Sequence, residues 1–314
     1  MIKVDVVSGF LGSGKTTLIK KLLKAYEHEK VILIENEFGD IGIDGDLVER
    51  DGFEVFEISS GCICCIMKKD FLGVLKRIIK EYKPERIIIE PTGLSILSEI
   101  IGIFSNEEVA INCTINSLVT VVDCINYLAQ KDIFGEFFED QIINAGILVL
   151  SKTQLSTKEN LGEVILSLKE LNAKGEIIKS NWFEMNHESL INILQGEIDI
   201  DLNELHITDY KPCSENEFTT VGIKTSKKFE YEALEKILSA LKEPKYGEVL
   251  RAKGFIRGKN EYLEFSYTNG AFIINKSKFK SSGKACFIGR NLKEEEIKSL
   301  FHTKSGGIFE WLKF

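Results

Sequence analysis

Gly9-Phe10-Leu11-Gly12-Ser13-Gly14-Lys15-Thr16-Thr17 decides the reading of this chain. The stretch fits the phosphate-binding loop G-x-x-x-x-G-K-[ST]. A strand candidate, Val4-Asp5-Val6-Val7, leads into it, and a helical pattern, Leu18-Ile19-Lys20-Lys21-Leu22-Leu23, leads out. In that setting the backbone N–H groups of the turn, with the positive end of the helix, can wrap a β-phosphate. Lys15 would reach the β- and γ-phosphates, and the Thr16 hydroxyl would hold Mg²⁺. Gly9, Gly12, Ser13, Gly14, Lys15, Thr16 and Thr17 are therefore the expected nucleotide contacts. A glycine-rich turn that binds nothing has no need for strand, loop, Lys-Thr and helix to coincide. The expectation is a nucleoside-triphosphate hydrolase.

Outward from the loop, further apolar runs follow at Val31-Ile32-Leu33-Ile34, Arg86-Ile87-Ile88-Ile89, Val119-Thr120-Val121-Val122 and Ile147-Leu148-Val149-Leu150. They are short, nearly continuous and rich in β-branched residues, as strands buried on both faces are. Helical patterns at 15–28, 68–82 and 158–172 lie between them. The alternation predicts a doubly wound α/β domain with a mostly parallel sheet, its ligands at the carboxyl ends of the strands. Residues 196–216 are polar and acidic, contain Pro212, and read as a linker. Beyond it, strand candidates at 218–223, 249–256, 262–267, 271–274 and 284–288 and helices at 230–242 and 293–301 predict a smaller α+β domain. The expected domains are 1–205 and 216–314.

At 314 residues, 44% hydrophobic and 28% charged, the composition is that of a soluble globular protein. The net charge of −8 disfavours nucleic acid and anionic membrane surfaces as partners. The start, Met1-Ile2-Lys3-Val4-Asp5, lacks the shape of a signal peptide, and the uncharged run 109–122 is too short to span a bilayer. A cytoplasmic location is the expectation. Seven cysteines are an odd number for a disulfide framework.

Three of them cluster in Cys62-Ile63-Cys64-Cys65. Soft thiolates favour Zn²⁺ or Cu(I). A helix start with Lys68 and Lys69 nearby favours ionised thiols. A transition-metal site at Cys62, Cys64 and Cys65, a redox dithiol, and packed small residues are the three readings. The fourth metal ligand is left open. Cys113, Cys124, Cys213 and Cys286 lie among apolar neighbours and read as core residues. The four scattered histidines read as structural or solvated.

Taken together, these motifs resemble the CobW-type GTPases, a metallochaperone group related to the nickel-insertion GTPases of urease and hydrogenase maturation. The resemblance rests on the phosphate loop, on Glu35-Asn36-Glu37-Phe38-Gly39-Asp40 with Ile43-Asp44, and on Gly61-Cys62-Ile63-Cys64-Cys65. It rests also on Ile88-Ile89-Glu90-Pro91-Thr92-Gly93-Leu94, Val121-Val122-Asp123, and the tail stretches Leu250-Arg251-Ala252-Lys253-Gly254-Phe255 and Phe287-Ile288-Gly289-Arg290. It implies a first switch segment with Glu37 in a catalytic role, Mg²⁺ held by Thr16 and Glu90, and a Gly93 N–H for the γ-phosphate. It further implies GTP as substrate and the three cysteines as the site of a transferable metal.

One departure stands out. The family reads guanine with N-K-x-D, whereas this chain has Ser151-Lys152-Thr153-Gln154. Gln154 offers one acceptor where Asp offers two oxygens to two guanine donors. GTP remains the expected substrate, with relaxed base selectivity and with Ser151, Lys152 and Gln154 as the base-side residues. The reading is a GTP-hydrolysing metallochaperone for zinc, or one tied to cobalt–corrinoid chemistry, that acts on a metal-dependent client as a monomer or as a nucleotide- or metal-dependent dimer. The rival readings are an NTPase activator of a cofactor enzyme with the cysteines as a redox pair, and a slow regulatory nucleotide- and metal-binding switch.

Overall fold

The computed structural model describes residues 1–10, 12–37, 47–50, 53–59, 67–91, 93, 95–194, 219–259, 261–277 and 283–301. The chain divides into two compact units, Met1–Pro212 and Cys213–Phe314. The expected linker, 196–216, lies outside the described residues.

The first unit is built on an eight-stranded sheet. Its strands are β1 (Ile2–Ser8), β2 (Val31–Glu37), β3 (Leu47–Arg50), β4 (Phe53–Ser59), β5 (Arg86–Glu90), β6 (Cys113–Asp123), β7 (Ile147–Ser151) and β8 (Glu176–Ile178). They lie in the order β3-β4-β2-β5-β1-β6-β7-β8. Every pairing is parallel except the β3–β4 edge hairpin, which the apolar runs did not reveal. The order reverses at β1, flanked by β5 and β6. Such a switch point opens a crevice at the carboxyl ends of the strands.

The helices of this unit are α1 (Lys15–Ala25), α2 (Met67–Arg77), α3 (Leu97–Gly102), α4 (Glu107–Asn112), α5 (Tyr127–Phe134), α6 (Glu136–Ile143), α7 (Lys158–Leu171) and α8 (His187–Leu194). Alternate strand residues feed two cores, as a doubly covered sheet requires. Val4, Val6, Ile32, Ile34, Ile87 and Ile89 pack on one face with α2 and α3. Val7, Leu33, Ile88, Val119 and Val121 pack on the other with Leu18, Ile19 and Leu22 of α1.

At the amino ends of the strands a buried ionic network closes the sheet. An irregularity in the β1–β6 register sets Asp5 opposite Ser117 and leaves Asn116 beside it. Asn116 Nδ2 and Ser117 Oγ both donate to Asp5 Oδ1 at 2.7 Å. Arg86, fully buried, donates to Asp5 Oδ2 at 2.5 Å and through Nε to Glu29 at 2.7 Å, and its guanidinium lies 3.7 Å from the Tyr26 ring centroid. Burial opposes the Arg86 charge, but the Glu29 hydrogen bond and the Asp5 carboxylate outweigh it and hold its pKa above the ordinary value.

The second unit contains β9 (Thr219–Lys224), β10 (Lys228–Phe229), α9 (Tyr231–Ala240), β11 (Glu248–Gly258), β12 (Tyr262–Thr268), β13 (Ala271–Ser277), β14 (Lys284–Arg290) and α10 (Glu294–Leu300). The strands order as β13-β12-β11-β14-β9, all antiparallel, with β10 added parallel to β11. Leu234 and Leu238 of α9 and Ile297 of α10 cover one face, packing with Phe265 and Phe287. This is the α+β unit expected from the strand and helix candidates after the linker.

Candidate functional site

The phosphate loop leaves β1 at the switch point. Gly9 has φ +135°, and a Cβ there would lie 2.4 Å from the Val121 carbonyl oxygen of β6. Glycine is therefore required where the loop crosses the neighbouring strand. Gly12 and Gly14 also have positive φ, 78° and 109°. Gly14 caps α1, and no side chain supplies a capping oxygen. A phosphate oxygen suits that position, where first-turn N–H groups and the helix dipole converge. Among the described residues the buried hydroxyls of Ser8 and Ser13 have no hydrogen-bond partner. Buried polar atoms of that kind need a partner, and an anion in the loop would provide one. Lys15 is buried, and its ammonium donates to the carbonyls of Gly9 at 2.8 Å and Phe10 at 3.2 Å. Phe10 fixes the loop from behind, its ring centroid 4.4 Å from Phe134 and 5.4 Å from Phe138.

Across the crevice, the first turn of α1 meets the end of β5. Thr16 Oγ1 donates to Glu90 Oε1 at 3.1 Å. Glu35 of β2 is the register partner of Glu90 and is itself buried. Strand pairing therefore sets a second carboxylate beside Glu90, on the α1 face of the sheet. Glu37 ends β2, paired through its backbone with Ser59 of β4. Asp40 and Asp44 lie outside the described residues. Gly93 is buried, and its carbonyl accepts from Gln141 Nε2 of α6 at 3.2 Å.

The base-side residues have other partners than the motif suggests. Ser151, buried at the end of β7, donates to the Ser13 carbonyl at 2.6 Å, with the Val122 carbonyl at 3.1 Å. It ties the sheet to the phosphate loop. Lys152 adopts a left-handed backbone, φ +58°, and its ammonium donates to Asp123 Oδ2 at 2.6 Å. Asp123 also accepts from the Ile125 backbone N–H and the Asn126 side chain, which makes it the organiser of the loop after β6. Gln154 is exposed on the 3₁₀ turn Thr153–Leu155. Trp182 Nε1 donates to the Leu150 carbonyl and supports the same strand end. Asp123 was read only as the end of a family-like strand, with no role of its own, and Trp182 and Gln141 were not singled out from the sequence. The one available signal was the place of Asp123 at the end of an apolar run next to the phosphate-loop strand.

Cys62, Cys64 and Cys65 lie outside the described residues. Among the described residues no group of three or more His, Cys, Asp or Glu side chains could hold a metal ion. Cys113 and Cys124 are buried, and burial pushes both thiols up from an ordinary 9.0 to about 11. They are inert core residues, as expected. Cys213 lies outside the described residues. Among the described residues no helix is long and apolar enough to cross a membrane.

Two family models match the chain: "CobW/HypB/UreG, nucleotide-binding domain" over residues 3–179 and "Cobalamin synthesis protein cobW C-terminal domain" over residues 218–304. The zinc chaperone CobW of Sinorhizobium sp is 34% identical over 191 residues, which cover 52% of this chain and 54% of the relative. The zinc-regulated GTPase metalloprotein activator 1 of Dictyostelium discoideum is 28% identical over 302 residues, covering 81% of this chain and 62% of the relative. The chain thus spans less than two thirds of the length of either. The crystal structure of the Zn(II)-bound YjiA GTPase from E. coli aligns with a TM-score of 0.48 at 21% identity, covering 96% of this chain and 98% of that one. With the phosphate loop, its sheet and both family models in agreement over most of the sequence, the chain belongs to the CobW/HypB/UreG family, with its nucleotide-binding domain first and a CobW C-terminal domain after it.

Proposed function

We propose that this chain hydrolyses GTP and couples its nucleotide state to the binding and transfer of zinc to a client protein. One observation carries the nucleotide half. The Thr16 hydroxyl and the Glu90 carboxylate, 3.1 Å apart, face each other beside the phosphate loop, where the buried hydroxyls of Ser8, at the end of β1, and Ser13 have no partner among the described residues. These hard oxygens fit Mg²⁺, and Thr16 and Glu90 would hold it, where it would neutralise charge on the phosphates. Lys15 exchanges the Gly9 and Phe10 carbonyls for the β- and γ-phosphates. The Gly93 N–H serves the γ-phosphate, and Glu37, at the end of β2, completes the site.

The metal half rests on Cys62, Cys64 and Cys65 and on the names of the relatives, a zinc chaperone and a zinc-regulated GTPase metalloprotein activator. Zinc is the cargo, held as thiolates at one stage of the cycle and released at another. Residues 1–205 act as the GTPase domain, and 216–314 contact the client. The test combines GTP turnover with zinc analysis of anaerobically purified protein, with and without a non-hydrolysable GTP analogue. Turnover abolished by Lys15→Ala, and zinc content that changes with the analogue, are the expected results. Turnover equal in wild type and Lys15→Ala, or zinc affinity indifferent to the nucleotide, refutes the proposal.

A further inference from the structure

α6 touches both loops that would meet a nucleotide's phosphates. Phe138 on one turn packs against Phe10 of the phosphate loop. On the next turn Asp140 accepts from the Ser98 backbone N–H at 3.1 Å, and Gln141 Nε2 donates to the carbonyls of Gly93 at 3.2 Å and Ser95 at 2.9 Å. Gln141 is fully buried, and its own carbonyl is pinned to β6 by Thr120 Oγ1 at 2.6 Å. One side-chain amide, fixed at its root by the sheet, therefore clasps the segment that follows Glu90.

Two features argue against a packing role for this amide. Gln141 Oε1 is buried with no partner among the described residues. An apolar side chain of similar shape would avoid that penalty, so burial alone does not account for an amide here. Gly93, lacking a Cβ, has little conformational preference of its own. What orients it must come from outside, and among the described residues Gln141 holds its carbonyl, one bond removed from the α-carbon that carries the N–H.

We propose that Gln141 is a positioning residue for hydrolysis: it sets Gly93 for the γ-phosphate from α6, a helix that also packs against the phosphate loop. The inference rests on the hydrolytic reading above. The experiment compares wild type, Gln141→Met and Thr120→Val in GTP turnover and in affinity for GDP and a non-hydrolysable GTP analogue. Methionine keeps the volume and length but removes both donors. Thr120→Val removes a hydrogen bond to the same residue while leaving the amide clasp, and so reports merely structural loosening. For Gln141→Met we expect kcat to fall about tenfold to a hundredfold. GDP affinity should stay within about twofold, while KM for GTP and the Kd of the triphosphate analogue rise together, so that the preference for the triphosphate diminishes. Unchanged kcat and unchanged preference in Gln141→Met overturn the inference. An equal loss of kcat in Thr120→Val overturns it as well. Absence of GTP turnover in wild type overturns the hydrolytic reading and this inference with it. Normal wild-type turnover beside an unaffected Gln141→Met overturns this inference alone.

Discussion

Ser151→Ala is the perturbation that best separates the geometry from the motif. In the motif, position 151 belongs to the base-side residues. In the structure its buried hydroxyl donates at 2.6 Å to the carbonyl of Ser13, between the two glycines whose φ of 78° and 109° shape the phosphate loop. Alanine leaves that carbonyl without this donor. A lost buried hydrogen bond that strands its partner costs about 1–3 kcal/mol. The missing oxygen leaves a void too small to add much. If 1–2 kcal/mol of this falls on the binding-competent loop, nucleotide Kd rises roughly fivefold to thirtyfold. GDP and GTP should weaken alike, because Ser13 is remote from what distinguishes a γ-phosphate. KM should rise with kcat nearly unchanged, the sign of uniform binding lost. The ratio of guanine to adenine affinity should not move. Nucleotide titrations with GDP, a GTP analogue and ADP on wild type and Ser151→Ala test this. A normal GDP affinity with a shifted guanine-to-adenine ratio would refute the reasoning and return position 151 to the base.

Gln154→Asp should strengthen guanine binding by roughly 1.5–3 kcal/mol and weaken adenine binding, read by nucleotide competition; a strong GTP preference unaffected by the change would show that residue 154 does not read the base. Replacing Cys62, Cys64 and Cys65 by serine should abolish zinc binding, and the protons released on loading, while the protein stays folded; equal zinc affinity in the triple variant would remove the metal site. Asp5→Ala leaves the fully buried Arg86 with one carboxylate partner fewer, and should cost roughly 3–5 kcal/mol in denaturant melts, with Arg86→Met in the same chain recovering much of it. The thiols of Cys113 and Cys124, raised from 9.0 to about 11, stay neutral in the folded protein while the unfolded chain ionises. Their contribution to stability is therefore complete below pH 9 and is lost between about pH 9 and 11, and both should resist alkylation in native protein at pH 8; rapid labelling of either would contradict their burial.

The phosphate loop, the order of apolar runs and helices, and the antiparallel character of the second unit were all legible in the sequence. Each is written in a local signal: glycines at fixed offsets before Lys15, near-continuous β-branched runs such as Ile147–Leu150, alternation from Tyr262 to Tyr267. The edge hairpin β3–β4 escaped because Leu47–Arg50 has no apolar alternation to mark a strand. What the tertiary structure alone decided are the pairings across the crevice. Thr16 meets Glu90 over 74 residues of sequence, and Arg86 meets Asp5 over 81. Ser151 meets Ser13 over 138. Gln141 belongs to none of the motifs or helical patterns legible in the sequence, and only the packing of α6 sets it against Gly93. Local chemistry sets which backbone each segment adopts. The side chains that share a site are brought together by the strand order β5-β1-β6-β7, which packs distant segments edge to edge and aligns their carboxyl ends at one crevice.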